Sequence, residues 1–254
     1  MRSTAVRRTA LAAAAASLVL LVTACGGEGS TGGKKDDAKA KESAAAEPAA
    51  AKALTAAELD KIAIAQGDVK AHKIAKAGPQ DDIAAKDVKT DKPECEPVAR
   101  AVAGVPMGEP AATVKRRATA EPDVKGAAED GAIEGLFDVT TSLVALSSYE
   151  GKGAADAFSA LKSAGTACAD GFTVTMVGME QKVLKLTEAK VSGGDEAVAW
   201  TMTAEQDGEK VPFNLAMVRK GGTVVSFSSY NLTAPEGVLP LPTAVIDAQV
   251  TKLG

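Results

Sequence analysis

The chain has 254 residues, with 29 Lys and Arg against 33 Asp and Glu and a formal charge of −4. That balance argues against a nucleic-acid partner, because phosphate contacts come from clustered Lys and Arg. Aromatic residues make up 3% and there is one histidine, which argues against stacking platforms for sugars or bases and against sites built from several histidines.

Arg2, Arg7 and Arg8 precede an apolar run over residues 10–24, rich in Ala, Leu and Val. A basic segment followed by a short apolar one is an export signal, and this run falls short of the ~20 residues a membrane span needs. It closes on Val22-Thr23-Ala24-Cys25, an aliphatic residue and two small ones before a cysteine. The pattern resembles a bacterial lipobox. Residues 1–24 are therefore expected to be cleaved, with Cys25 acylated through its thiol. Two or more acyl chains hold a protein on a membrane where one does not. Arg7-Arg8 is a partial twin-arginine pattern, and both Sec and twin-arginine export fit it. Loss of the three arginines takes the charge of the mature chain from −4 to −7. Residues 26–53 hold Gly, Ser, Thr, Lys, Asp, Glu and Ala, with Pro48 and no large apolar side chain. They read as a disordered tether with a root-mean-square span of about 30 Å.

One folded domain is predicted over residues 54–254. Thr55-Ala56-Ala57-Glu58 is a capping box, with Leu54 and Leu59 as its hydrophobic staple. Leu59, Ile62 and Ala63 share a face, and Gly67 ends the helix. A strand is expected within residues 69–77. His72 lies there and reads as structural, since no second ligand at metal spacing accompanies it. Residues 78–92 read as a polar loop. Pro93-Glu94-Cys95-Glu96-Pro97 then opens a short helix that turns Cys95, Val98, Ala99 and Val102 to the core and stops at Gly104 and Pro106. Residues 104–134 read as a long irregular connection, with Lys115-Arg116-Arg117 solvated within it. Long connections in compact domains often carry function.

Alternation over residues 136–149 predicts one long strand. Gly151-Lys152-Gly153 leads into a helix with Ala154, Ala157, Phe158, Leu161 and Ala164 inward and Cys168 at its end. With Cys25 spent on lipid, Cys95 and Cys168 are the two cysteines left in an exported protein, both facing inward, and a single disulfide between them is expected. Strands are predicted over 172–177 and 183–191. The clearest hairpin joins residues 196–206 to 209–219 through Asp207-Gly208, a type I′ signal. A two-residue loop pairs Ala204 with Val211, Met202 with Phe213, Trp200 with Leu215 and Val198 with Met217. Apolar then meets apolar on one face, while Thr201, Thr203, Lys210, Pro212 and Asn214 make the other face the wetter one. Gly221-Gly222 turns into a strand over 223–232. A two-residue loop would put Tyr230 and Leu232 on the core face, and a three-residue loop Val225 and Phe227. The second is preferred because Phe227 then meets Leu215. A last helix follows Pro240-Leu241-Pro242-Thr243, with Val245, Ile246, Val250 and Leu253 inward.

These elements predict an α+β fold, a twisted antiparallel sheet of about five or six strands with helices packed on one face. Gly-x-Ser-x-Gly, His-Glu-x-x-His and Cys-x-x-Cys are all missing from the sequence, and no carboxylate pair is singled out. The expectation is no catalytic residue, no metal ligand and no cofactor, so not an enzyme.

The order of features, a lipobox and polar tether, a Leu-Thr-Ala-Ala-Glu-Leu opening helix, a Cys-bearing short helix, a helix ahead of Cys168, antiparallel strands and a closing Ala-Val-Ile-Asp-Ala-Gln-Val helix, is similar to the PknH-like extracellular sensor domains of actinobacterial receptor kinases and lipoproteins. That resemblance implies a sheet backed by helices around a cleft, with disulfides and an unidentified extracytoplasmic ligand. This chain departs from the family pattern in having one possible bridge rather than two.

The reading that follows is a lipoprotein anchored on the extracytoplasmic face of the cell membrane, serving as a binding or sensor-type domain. Its partners are the membrane, through the acyl anchor, and an unknown small molecule, lipid or cell-envelope protein. The rival reading is a carrier of lipid or another amphiphile in an apolar cavity between sheet and helices. No ligand-binding residue is assigned. The 104–134 connection and the wetter hairpin face are where contacts are sought.

Overall fold

The fold starts at a helix end that the sequence specifies locally. Thr55 Oγ1 accepts from the Glu58 N–H, and the Glu58 carboxylate accepts from the Thr55 N–H at 2.8 Å. This capping box opens α1, Ala56–Ile62. The computed structural model describes residues 52–122, 139–206, 208–234 and 239–254, with the backbone alone at Gln206. The export signal, Cys25, the tether up to residue 51, the start of the strand expected from residue 136, and Asp207 lie outside the described residues.

After α1 come β1 (His72–Lys76), β2 (Val88–Thr90), α2 (Glu96–Val102), β3 (Ala112–Ala120), β4 (Thr141–Ser148), α3 (Gly153–Ala167), β5 (Phe172–Met176), β6 (Met179–Ala189), β7 (Glu196–Gln206), β8 (Glu209–Lys220), β9 (Thr223–Tyr230) and α4 (Thr243–Leu253). The strands form one sheet in the order β1-β3-β4-β9-β8-β7-β6-β5-β2, every neighbouring pair antiparallel. The sheet has nine strands where five or six were expected. Two of the additional strands sit in stretches read as loop: β2 within 78–92 and β3 within 104–134.

Helices cover both faces, which corrects the one-face arrangement. On one face α2 and α3 pack over Trp200, Met202, Leu215, Met217 and Val224. On the other, α1 and α4 enclose Val144, Leu146, Ala199, Ala216, Val218, Val225 and Phe227 with Leu59, Val245 and Ile246. The continuous apolar run Leu215-Ala216-Met217-Val218 has this cause. A central strand covered on both sides loses the apolar–polar alternation of a half-wet one. The hairpin face opposite Trp200 is wet only near its turn. Thr201 and Thr203 are part-exposed there, while Asn214, Ala216 and Val218 are buried.

The β7–β8 register is the one the apolar pairs demand, with Ala204 opposite Val211, Trp200 opposite Leu215 and Val198 opposite Met217. The β8–β9 register is not the preferred one. Its loop is the two residues Gly221-Gly222, and Phe227 lies opposite Ala216, with Ser228 opposite Leu215. Val225 and Phe227 are buried all the same, in the second core.

Two long-range ties fix the layers. Cys95, at the start of α2, is disulfide-bonded to Cys168, which caps α3, with Cα atoms 5.8 Å apart and both residues fully buried. Gln249 of α4, also fully buried, accepts from the Ile64 N–H at 3.0 Å and donates to the Ile62 carbonyl at 2.7 Å. That satisfies the orphan groups at the end of α1 from a helix about 185 residues away.

Candidate functional site: a cleft at the sheet edge

β1 runs beside β3 only as far as Lys76, which lies opposite Arg116. One further bond, Ala77 N–H to the Lys115 carbonyl at 3.2 Å, ends the pairing. Gly78-Pro79 then diverts the chain, because Pro79 has no N–H to give a ladder and instead opens a 3₁₀ turn, Pro79–Asp81. β3 continues alone on that side. The space left beside it is an open cleft of about 820 Å³.

One wall is the diverted chain, with Lys76, Gly78, Asp81, Asp82 and Ala85. The floor is β3 from Thr113 to Arg116. The far wall is Arg100 of α2 with Val105, Pro106 and Gly108. Gly104 makes the far wall possible. It ends α2 at φ +64°, and a Cβ there would lie 2.6 Å from Leu143 Cδ2. The disulfide holds the other end of α2.

The Lys115-Arg116-Arg117 triplet is not a solvated loop. It is the middle of β3, and each side chain has a structural partner. Arg116 is 6% exposed. Its guanidinium donates to the carbonyls of Ile64 (3.1 Å) and Lys115 (3.1 Å) and to the Asp60 carboxylate (2.6 Å), tying α1 to the sheet edge. Arg117 faces the other side and forms an ion pair with Asp81, which also accepts from the Gly78 N–H at 2.9 Å. A carboxylate buried to 6% exposure is tolerated because it is paired and hydrogen-bonded. Lys115 Nζ donates to the Asp81 carbonyl at 2.8 Å, with Asp82 Oδ1 at 3.8 Å. Burial pulls the Lys115 pKa below the ordinary lysine value, against the opposing pull of Asp82 and Asp81. Hydrogen bonds from Arg116, and then from Lys76, hold the Asp60 carboxyl below the usual carboxylate range.

The cleft thus carries both signs of charge, paired within the protein, beside apolar surface from Ile83, Val105, Pro106 and Val114. A second depression, of about 500 Å³, lies beyond the Met107–Glu109 turn against Tyr149, Asp156 and Ala160. The Tyr149 hydroxyl donates to the Met107 carbonyl at 2.8 Å, and burial pushes its pKa up to about 12. Between the sheet and α2 the core is filled. The slot beside Val102, Phe172 and Met202 leaves about 20 Å³, too little for an acyl chain.

Part of the 104–134 connection does line the cleft, through Val105, Pro106, Gly108 and residues 113–116. Residues 123–138 lie outside the described residues. Among the described residues the wetter hairpin face borders a depression of about 180 Å³, remote in sequence from the cleft residues. Asp60, Lys76, Asp81 and Arg100 were not singled out from the sequence. One signal was available for β3: Thr113, Val114 and Thr119 are β-branched, and the stretch is bounded by Pro110 and Pro122. His72 is a surface residue whose Nδ1 lies 2.8 Å from the Lys70 carbonyl. Among the described residues no group of three or more His, Cys, Asp or Glu could hold a metal ion, and no helix is long and apolar enough to cross a membrane.

The architecture defines a class: a disulfide-clamped α+β domain with an open cleft where an edge strand leaves its sheet. The sequence profile of the PknH-like extracellular domain matches residues 42–237, and the chain belongs to that family. Among solved structures it is similar to the extracellular domain of PknH from Mycobacterium tuberculosis, at 15% identity and a TM-score of 0.52, over 80% of this chain and 97% of that one. That likeness is one of fold. A crystal structure of an uncharacterised Mycobacterium smegmatis protein matches at 10% identity and a TM-score of 0.37, over 72% of this chain and 90% of that one. No curated protein matches.

Proposed function

We propose that this chain is a lipid-anchored, extracytoplasmic binding or sensor-type lipoprotein without catalytic activity, and that its ligand sits in the cleft beside β3. The observation that carries the reading is the conjunction of an extracellular-domain family with an open cleft of about 820 Å³ lined by both charged and apolar residues. Val22-Thr23-Ala24-Cys25 supports acylation at Cys25, and the tether would let the domain stand clear of the bilayer. A cleft built from paired charges, with walls held by a disulfide and buried ion pairs, is preorganised for binding. The filled slot between the sheet and α2 weighs against the rival reading as a carrier of lipid or another amphiphile.

Two measurements on the full chain test the proposal. Fractionation of cells expressing the wild type and Cys25→Ala should place the first in the membrane fraction and release the second; equal partitioning would contradict the anchor. Native mass spectrometry of the purified protein after incubation with a low-molecular-mass envelope extract should show an adduct. Ala85→Trp places an indole in the cleft from an exposed position and should abolish that adduct. An adduct retained by Ala85→Trp would move the site elsewhere.

A further inference from the structure

The sheet is open on one lane. In an antiparallel strand the N–H and C=O of successive residues point to opposite edges. The Ala120 N–H bonds to Thr140 on the β4 side, and the Lys115 carbonyl accepts from Ala77 on the β1 side. Even-numbered residues of β3 therefore face β4, and odd-numbered ones face the lane of β1. β1 fills that lane from residue 72 to Ala77 and then leaves. Thr113, two residues from Lys115, directs its N–H and C=O into the vacated part, and it lines the cleft. No described residue pairs with those two groups.

The outer edge of β1 is treated differently. The Gln66 side chain lies along it as a surrogate strand, accepting from the Ile74 N–H at 2.8 Å and donating to the His72 carbonyl at 3.2 Å. Free strand edges are templates for pairing, and folded proteins block them. Here the outer edge is blocked, and the edge inside the cleft is left available, with Lys76 and Asp82 on the wall of the diverted chain, Lys115 on the floor and Arg100 on the far wall.

We propose that the cleft receives an extended peptide, which continues the lane of β1 by pairing with Thr113 of β3 in antiparallel register. This rests on the reading of the cleft as the binding site and names the ligand class. An extended hexapeptide spans about 20 Å. Backbone pairing supplies attachment, and the charged walls select its side chains.

The probe is a positional-scanning library of acetylated hexapeptide amides, read by fluorescence polarisation on the full chain without its signal segment. Thr113→Pro removes the donor in the open lane and no bond to β4, since the Thr113 N–H points away from β4. Thr113→Val keeps the donor and loses only the hydroxyl contact to Ser147. Selected peptides should bind wild type and Thr113→Val alike and lose at least tenfold on Thr113→Pro. Single N-methylation along the peptide should cost at least tenfold at the residue whose N–H pairs with the Thr113 carbonyl and little at its two neighbours, whose N–H groups point away from β3. The methylation series uses wild-type protein and stands even if Thr113→Pro does not fold. Equal binding to Thr113→Pro, or N-methyl losses as large at the two neighbours as at the pairing residue, would overturn the proposal. Failure to select any hexapeptide, while the Ala85-dependent envelope adduct persists, would keep the cleft as the site and remove peptide as its occupant. Hexapeptides bound equally by Ala85→Trp would remove the cleft as well.

Discussion

Asp81→Ala tests the clip that holds the cleft open. The Asp81 carboxylate is 6% exposed and has two partners, the Arg117 guanidinium, whose Nε lies 3.3 Å from Oδ2, and the Gly78 N–H. Removing one partner of a buried ion pair costs roughly 3–5 kcal/mol, because the remaining charge stays desolvated. The Arg117 side chain is 29% exposed and regains part of its hydration, which lowers the expected loss to about 2–3 kcal/mol. The assay is urea unfolding of Asp81→Ala, Arg117→Met and the double variant, with unchanged m values as the check on two-state behaviour. The coupling from the cycle should be about 1.5–3 kcal/mol, as for a charged hydrogen-bonded pair. Asp60→Ala is the contrast. Its side chain is 40% exposed, and Arg116 keeps its carbonyl acceptors at Ile64 and Lys115, so the loss should be clearly smaller than for Asp81→Ala. A loss under ~1 kcal/mol for Asp81→Ala, or equal losses for the two aspartates, would refute the ranking of the two clips by burial.

Gly165→Ala should destabilise by about 1–3 kcal/mol in thermal unfolding, although alanine favours a helix, because its Cβ would lie 2.2 Å from Trp200 Cζ2. Reduction of Cys95–Cys168, or their joint replacement by alanine, should cost about 4 kcal/mol in the chain-entropy model for a sequence separation of 73, measured by urea midpoint with and without reductant. Tyr149 has its folded pKa raised to about 12 by burial. Its contribution is therefore complete below the unfolded value of ~10 and fades as pH rises from there toward 12. Tyr149→Phe should flatten that part of the stability–pH profile, and an unchanged alkaline slope would contradict the assignment.

The sequence was most readable where local chemistry and burial point the same way. Thr55 and Glu58 specify the start of α1 by themselves, and the β7–β8 register follows from four apolar pairs around one Asp-Gly turn. It was least readable where burial is two-sided. Val224, Val225, Ser226 and Phe227 are all buried, so no choice of face can select a register, and a partner for Phe227 exists in either core. β3 was hidden for a related reason. Lys115, Arg116 and Arg117 look like a solvated run until Asp60, Asp81 and Asp82 are brought beside them by elements 30 to 60 residues away. The cleft itself is absent from any local pattern. It exists because Pro79 turns β1 out of a lane that β3 continues to border.

Amide hydrogen exchange of the full chain without its signal segment, read by mass spectrometry with and without the low-mass envelope extract, shows where the ligand sits. Slowed exchange is expected in the walls and floor of the cleft alone, residues 76–85, 100–108 and 112–116. Protection centred on the β7–β8 hairpin or the α3 surface, with the cleft segments unchanged, would contradict that placement.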